Sequence, residues 1–374
     1  MSPRSSEVSQ PATGRHRRTT RRSRHGRLVR GAVTLVAIAA LGAAALFAVS
    51  ARHHPLAPRP NDPRGELTGT RPPTSTPTTT SAPPAVPGSP GSFSVQETSF
   101  TFVDTARFAN IDGHDVARSL PTLVRYPSVG TARPGGYPLV VFAPGYLQCR
   151  SAYAPLLQDW ASAGYVVAAV QFPLTNCHIA TEAEESDIVN QPGDVSFVIT
   201  QLLAASSSSK GPLAGLIDPD EVALAGHSDG GDTVAAVAAN GCCADPRVKA
   251  TIVLAGAELS SMGGPYFSSP PAPMLFVQGT ADTVNVPADS LALYSQDTTG
   301  VRAYLQLDGA THFTPYEGQA PPEPLVADVT LDFLDRYVLG QGSAQAAMEH
   351  DGNVPGVASL VTGGTPPPSL STPG

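Results

Sequence analysis

Little positive charge remains in this sequence once its first 30 residues are set aside. Those residues hold nine arginines against a single acid, Glu7. The remainder of the 374-residue chain carries 14 lysines and arginines against 30 aspartates and glutamates, a net charge of −16. A surface of that sign repels a phosphate backbone, so no nucleic-acid partner is expected, and the leading arginines read as topology signals. Tryptophan is nearly absent: Trp160 is the only one, and it lies in an amphipathic stretch that reads as core. Cysteine is scarce too, with four residues at 149, 177, 242 and 243. No cysteine–histidine spacing matches a zinc motif. The sequence implies neither a metal nor an organic cofactor.

Charge is also missing from Gly31 to Ser50, twenty residues in a row. As a helix rising about 1.5 Å per residue, that length spans a bilayer core. With the arginines before it, the segment is expected to sit N-terminus inside, as a transmembrane anchor. The alternative is a long signal peptide cleaved after Ala48-Val49-Ser50, although signal-peptide cores usually run about 7–15 residues. The chain is therefore expected at the cell membrane as a single-pass protein with its folded domain outside the cytoplasm, or else secreted. Residues 51–91 are rich in Pro, Thr and Ser and read as an extended linker. Residues 341–374 have a similar composition and read as a disordered tail. The folded domain is expected over 92–340.

Within that domain, Gly226-His227-Ser228-Asp229-Gly230 carries the most information. It follows an apolar run, Glu221 to Ala225, that reads as a buried strand, and precedes an Ala/Val-rich helix near Gly230–Asn240. A G-x-S-x-G sequence between strand and helix makes a sharp turn that lifts a serine above the sheet. A serine hydroxyl is a poor nucleophile until a base takes its proton and a carboxylate orients that base. Asp282 follows the strand Met274–Gln278, and His312 follows the alternating strand Ala303–Leu307. Each arrives just past a strand, in the order Ser, Asp, His. Asp289 and Asp297 fall in or near a helix, and His350 falls in the tail, which makes them weaker candidates. Acyl transfer also needs donors for an oxyanion. The backbone N–H of Asp229 is one. The other is expected from Tyr146, in the Pro144-Gly145-Tyr146 loop after strand Pro138–Phe142.

These residues together resemble the α/β-hydrolase serine esterases. The likeness is to the dienelactone-hydrolase-like and platelet-activating-factor-acetylhydrolase-like branch, and to the bacterial cutinases and polyester hydrolases. It rests on Pro144-Gly145-Tyr146, Gly226-His227-Ser228, Gly230-Gly231, Ala281-Asp282 and the heptad Leu307-Asp308-Gly309-Ala310-Thr311-His312-Phe313. The stretch Ser119 to Pro127 resembles the early strand of the acetylhydrolase-like group. The chain departs from these families in three ways. It has Ser228 where dienelactone hydrolase has a cysteine, and Asp229 where cutinases have a methionine. Where cutinases place a tryptophan it has Gly256-Ala257-Glu258-Leu259, which argues against binding of aromatic polyesters. Asp229 is expected to disfavour anionic acyl groups unless its side chain points away.

The resemblance implies a mostly parallel sheet flanked by helices. Near-continuous apolar strands alternating with helices imply the same arrangement independently. The helices are expected near Ala152–Ala163, Val195–Ala205, Ala288–Gln296 and Leu325–Leu339. The segment Gly256 to Ala272 is too short for a lid domain. Cys149 and Cys177 both follow strands and should lie on the active-site face. Cys242 and Cys243 follow the nucleophile helix, and a helix of about eleven residues is roughly 16 Å long, beyond disulfide reach. Cys149–Cys177 is the favoured pair, and the state of Cys242 and Cys243 is left open. The acids of Thr181–Asp187 read as a solvated loop rather than a calcium site.

The function expected is an extracytoplasmic hydrolase that cleaves carboxylic esters through an acyl-enzyme. Its substrate would be a small-molecule or lipid ester. Acyl transfer to an alcohol, amide hydrolysis with the same three residues, and a catalytically silent binding module of the same fold are the alternatives.

Overall fold

The computed structural model describes residues 90–128, 133–179, 182–318 and 322–363. The arginine-rich terminus, the uncharged segment Gly31–Ser50 and most of the 51–91 linker lie outside the described residues. Among the described residues no helix is long and apolar enough to cross a membrane. The strands are β1 (Val95–Ile111), β2 (His114–Pro127), β3 (Tyr137–Ala143), β4 (Val166–Val170), β5 (Ile217–His227), β6 (Val248–Leu254), β7 (Met274–Gly279), β8 (Arg302–Leu307) and β9 (Ala358–Thr362). The helices are α1 (Ala154–Ser162), α2 (Gln191–Ser207), α3 (Asp229–Ala239), α4 (Pro287–Gln296), α5 (Glu323–Tyr337) and α6 (Ala344–Asp351).

The strands join in one sheet, ordered β1-β2-β4-β3-β5-β6-β7-β8-β9. From β4 to β8 every neighbour is parallel, while β1, β2 and β9 complete the edges antiparallel. β3 shows why the central strands read as unbroken apolar runs. Its residues alternate between two cores, Val140 and Phe142 packing with α1, α5 and α6, and Leu139, Val141 and Ala143 with α2, α3 and α4. A strand covered on both faces has no polar side. Burying each large apolar side chain stabilises the fold by roughly 1.5–3 kcal/mol.

α1 illustrates how a flanking helix is specified. Pro155 opens its first turn, and Leu156, Leu157, Trp160 and Ala161 recur at helical spacing and are buried. Gly164, with φ of 112°, turns the chain into β4. The indole of Trp160 donates to Thr330 Oγ1 at 2.9 Å, tying α1 to α5. Trp160 is thus core, as its setting suggests.

Two expectations are corrected. The tail is not unstructured from residue 341, because α6 packs on α5 and β9 pairs antiparallel with β8, Leu305 opposite Leu360. Ala344, Met348, Ala358 and Leu360 are buried there, too few apolar positions for the surrounding Gly, Ser and Pro composition to reveal. The acidic loop is not wholly solvated either. Asp187 lies in a 3₁₀ turn, Glu185–Asn190, and is 5% exposed. Arg118 of β2, 1% exposed, donates to both oxygens of Asp187 at 2.8 and 2.7 Å and to both oxygens of Asp194 at 2.8 and 2.6 Å. One buried cation thereby anchors the 3₁₀ turn and the start of α2.

Candidate active site

The parallel strands end on one side of the sheet, and the loops that follow them converge there. Ser228 leaves β5 with φ of 55° and ψ of −126°, a left-handed backbone that a non-glycine residue adopts only under strain. Such strain costs of order 1–3 kcal/mol and persists when the surroundings hold it. Here Ser228 N–H donates to the Leu254 carbonyl and Asp232 N–H to the Ser228 carbonyl, each at 3.0 Å. The flanking glycines are required by space. A Cβ on Gly226 would run into the Gly230 carbonyl, and one on Gly230 into the Ala143 carbonyl. A Cβ on Gly145 would stand 3.0 Å from Ser228 Cβ, so the loop after β3 lies directly on the serine.

Ser228, Asp282 and His312 meet at this place. Ser228 Oγ–H lies 3.0 Å from His312 Nε2, and His312 Nδ1–H donates to Asp282 Oδ2 at 2.7 Å. All three side chains are buried. Asp282 Oδ1 accepts from the N–H groups of Val284 and Asn285 at 2.9 and 3.1 Å. Its Oδ2 accepts a second bond, from Gln278 Nε2, at 3.1 Å. A carboxylate so loaded has one orientation, and it presents one oxygen to the imidazole. Gln278 was not singled out in the sequence. Its place at the end of β7, four residues before Asp282, is the only signal it carried.

The loop Pro144-Gly145-Tyr146 stands beside Ser228. Its own bonding runs from Leu147 N–H to the Thr175 carbonyl (2.7 Å) and from Gln148 N–H to the Gly145 carbonyl (3.0 Å). Neither bond uses the N–H of Tyr146. The N–H of Asp229 opens α3, where first-turn donors lack partners within the helix. Cys149 and Cys177 form a disulfide that joins this loop to the one after β4. Cys242 and Cys243 are also bonded, to each other, beyond the far end of α3.

The Asp229 side chain lies close enough to His312 for the two to interact electrostatically. Together with Glu185, Ser186, Ile188, Leu259 and Ser261 it lines a cavity of about 250 Å³. Burial, and then the Glu185 carboxylate, push its pKa up to about 6. Its Oδ2 has no hydrogen-bond partner among the described residues. Exposed apolar side chains stand beside the site residues in sequence: Leu147 after Tyr146, Val284 and Val286 after Asp282, and Phe313 after His312. Between β6 and β7 the described chain holds one 3₁₀ turn, Ser260–Met262, and no lid domain.

His227, the variable residue of the pentapeptide, is fully buried. Burial and the neighbouring His312 push its pKa down to about 3, so it is neutral. Its ring packs 4.7 Å from that of His312 and 4.9 Å from that of Tyr316.

The PET hydrolase-like family model matches residues 83–343, well over half of the chain. Cutinase 1 of Thermobifida cellulosilytica is 27% identical over 204 residues, which cover 54% of this chain and 69% of that protein. A cutinase of Thermobifida fusca is 27% identical over 204 residues, 54% of this chain and 60% of its own length. The bis(hydroxyethyl) terephthalate hydrolase of Streptomyces coelicolor is 29% identical over 220 residues, 58% of this chain and 61% of its own length. The chain belongs to the PET hydrolase-like family of ester-hydrolysing enzymes with the α/β-hydrolase fold.

Proposed function

We propose that this chain is an extracytoplasmic serine esterase working through an acyl-enzyme. The line of hydrogen bonds from Ser228 Oγ through His312 to Asp282 carries the reading. His312 Nε2 takes the Ser228 proton as Oγ attacks the acyl carbon. It then gives that proton to the leaving alcohol oxygen as the ester C–O bond breaks. Asp282 holds the proton on Nδ1 and stabilises the imidazolium. The backbone N–H groups of Tyr146 and Asp229 receive the oxyanion. Water, deprotonated by the same imidazole, then releases the acid and restores the Ser228 hydroxyl.

The relatives named as cutinases and as a terephthalate ester hydrolase support carboxylic esters as the bond class. The arginine-rich start, the uncharged Gly31–Ser50 segment and the two disulfides support a place outside the cytoplasm. The short segment between β6 and β7, which holds no lid domain, favours small acyl groups taken from an accessible ester. Each buried CH₂ gains roughly 0.8 kcal/mol, and a long chain left uncovered gains little of it.

The test is hydrolysis of p-nitrophenyl esters of graded acyl length by the wild type and Ser228→Ala. Ser228→Ala is expected to lose on the order of 10⁶ in turnover with its melting curve preserved. Retention of more than a few per cent of activity would remove Ser228 from its role. A specificity that keeps rising with chain length would point to a groove that covers the chain. Adding an alcohol acceptor separates hydrolysis from acyl transfer.

A further inference from the structure

Resting on the catalytic assignment above, we infer that Tyr153 and His227 are positioning residues. They form a buried hydrogen-bonded relay that holds the oxyanion loop and the His312 loop in one register. Tyr153 stands at the start of α1, nowhere near Ser228 in sequence, and is fully buried. Its hydroxyl lies 2.8 Å from His227 Nδ1 and accepts the N–H of Gly145 at 3.3 Å. On the other side of the ring, His227 Nε2 lies 2.8 Å from the backbone carbonyl of His312.

Chemistry fixes the direction of every bond in this line. A carbonyl oxygen can only accept, so Nε2 of His227 carries the proton. A neutral imidazole has one N–H, so Nδ1 is the acceptor and the Tyr153 hydroxyl donates to it. The lone pairs of that hydroxyl are then free for the Gly145 N–H. Gly145, Tyr153, His227 and His312 belong to different segments: the loop after β3, the start of α1, the end of β5 and the loop after β8. One end of the line sets the peptide next to Tyr146 N–H. The other sets the main chain of the residue whose ring must meet both Ser228 and Asp282. Reacting groups lose rate steeply when displaced by as little as about 1 Å. A phenol and an imidazole are costly to bury unless their polar atoms are paired, and here all of them are.

Tyr153→Phe removes one oxygen and leaves the ring against Phe142, whose centroid is 4.7 Å away. The expected result is a fall of about 10–100-fold in kcat for p-nitrophenyl butyrate, with KM within about twofold, less than the roughly 10²–10³ lost with a direct oxyanion donor because Tyr153 acts through Gly145. A trifluoromethyl ketone, which adds Ser228 to give a tetrahedral oxyanion, should lose affinity by the same factor as kcat/KM. A purely structural role would lower the melting temperature without moving that inhibitor in step. An unchanged kcat, or a loss carried by KM alone, would overturn the relay. Nitrogen-15 NMR of the wild-type histidines gives a second test that depends on no variant. His227 is expected as the neutral tautomer protonated at Nε2, and finding the proton on Nδ1 would refute the assignment. Ser228→Ala, measured alongside, separates failure of the relay from failure of the nucleophile assignment.

Discussion

Asp282→Asn changes no atom count among the heavy atoms of the side chain, yet the structure leaves the new amide no good orientation. If its nitrogen replaces Oδ1, it faces the N–H groups of Val284 and Asn285 at 2.9 and 3.1 Å, a donor against two donors. If it replaces Oδ2, it faces His312 Nδ1 at 2.7 Å and Gln278 Nε2 at 3.1 Å. The second arrangement costs less, for two reasons. The imidazole can move its proton from Nδ1 to Nε2, and Gln278 can turn toward the new amide an Oε1 that has no hydrogen-bond partner among the described residues. The bonds from the Val284 and Asn285 N–H groups survive, but turning Gln278 gives up its Nε2 bonds to the Gly279 and Asn285 carbonyls, so the loss of stability should be near that of two hydrogen bonds, about 2 kcal/mol. The loss of activity is far larger. His312 would then present an N–H, in place of a lone pair, to Ser228 Oγ 3.0 Å away, and it could not accept the proton. A wrong tautomer of this kind lowers kcat by about 10⁴-fold, or roughly 5.4 kcal/mol at about 1.36 kcal/mol per decade. The assay is steady-state hydrolysis of p-nitrophenyl butyrate at about pH 8, with a melting curve on the same preparation. A fall of less than about tenfold, with the fold intact, would mean that Asp282 does not set the tautomer.

Two further outcomes follow from buried charge. Arg118→Met leaves Asp187 without its buried cation and Asp194 with only the half-buried Arg107, 2.8 Å from its Oδ1, and should cost about 3–5 kcal/mol in denaturant unfolding, with much of it regained when both acids are also made amides. Asp194 already has its pKa raised by burial even with Arg118 present, so the deficit should shrink as pH falls and its carboxyl takes up a proton. Asp229, with a folded pKa of about 6 against an ordinary value of 3.8, binds its proton more tightly in the folded state. Its carboxylate therefore leaves stability untouched below about pH 4, erodes it as pH rises toward 6, and holds it at the lower level above that. Asp229→Asn should raise the unfolding midpoint at about pH 8 and not at about pH 4. The same variant should speed hydrolysis of half-esters of dicarboxylic acids relative to neutral esters, and an unchanged ratio would show that the carboxylate does not face the acyl group.

Much of this protein was legible in its one-dimensional pattern, for local reasons. The strand–Gly–His–Ser–Asp–Gly–helix stretch needs small residues where backbone approaches backbone, so Gly226 and Gly230 announce the turn before any coordinates do. Strands covered on both faces must be apolar throughout, which marked β3 to β7 and hence the loop position of Asp282, while alternation along β8 marked the loop that carries His312. The favoured pair Cys149–Cys177 followed from the same topology, since both residues come just after strands on one side of the sheet. Other features depended on partners distant in sequence. Gln278 is an ordinary strand-end glutamine until its amide is seen on Asp282. Tyr153 and His227 are 74 residues apart, and neither periodicity nor motif links a phenol to an imidazole across that distance. Arg118 gave no sign that it would be buried between Asp187 and Asp194, because each charge is tolerable only in the presence of the others. The strand β9 was hidden for a related reason. Its few apolar residues are too sparse to order the segment alone, and they find a place only because β8 offers a free edge. Apolar rhythm and glycine placement are properties of neighbours along the chain. The pairing of buried polar groups is a property of the folded interior.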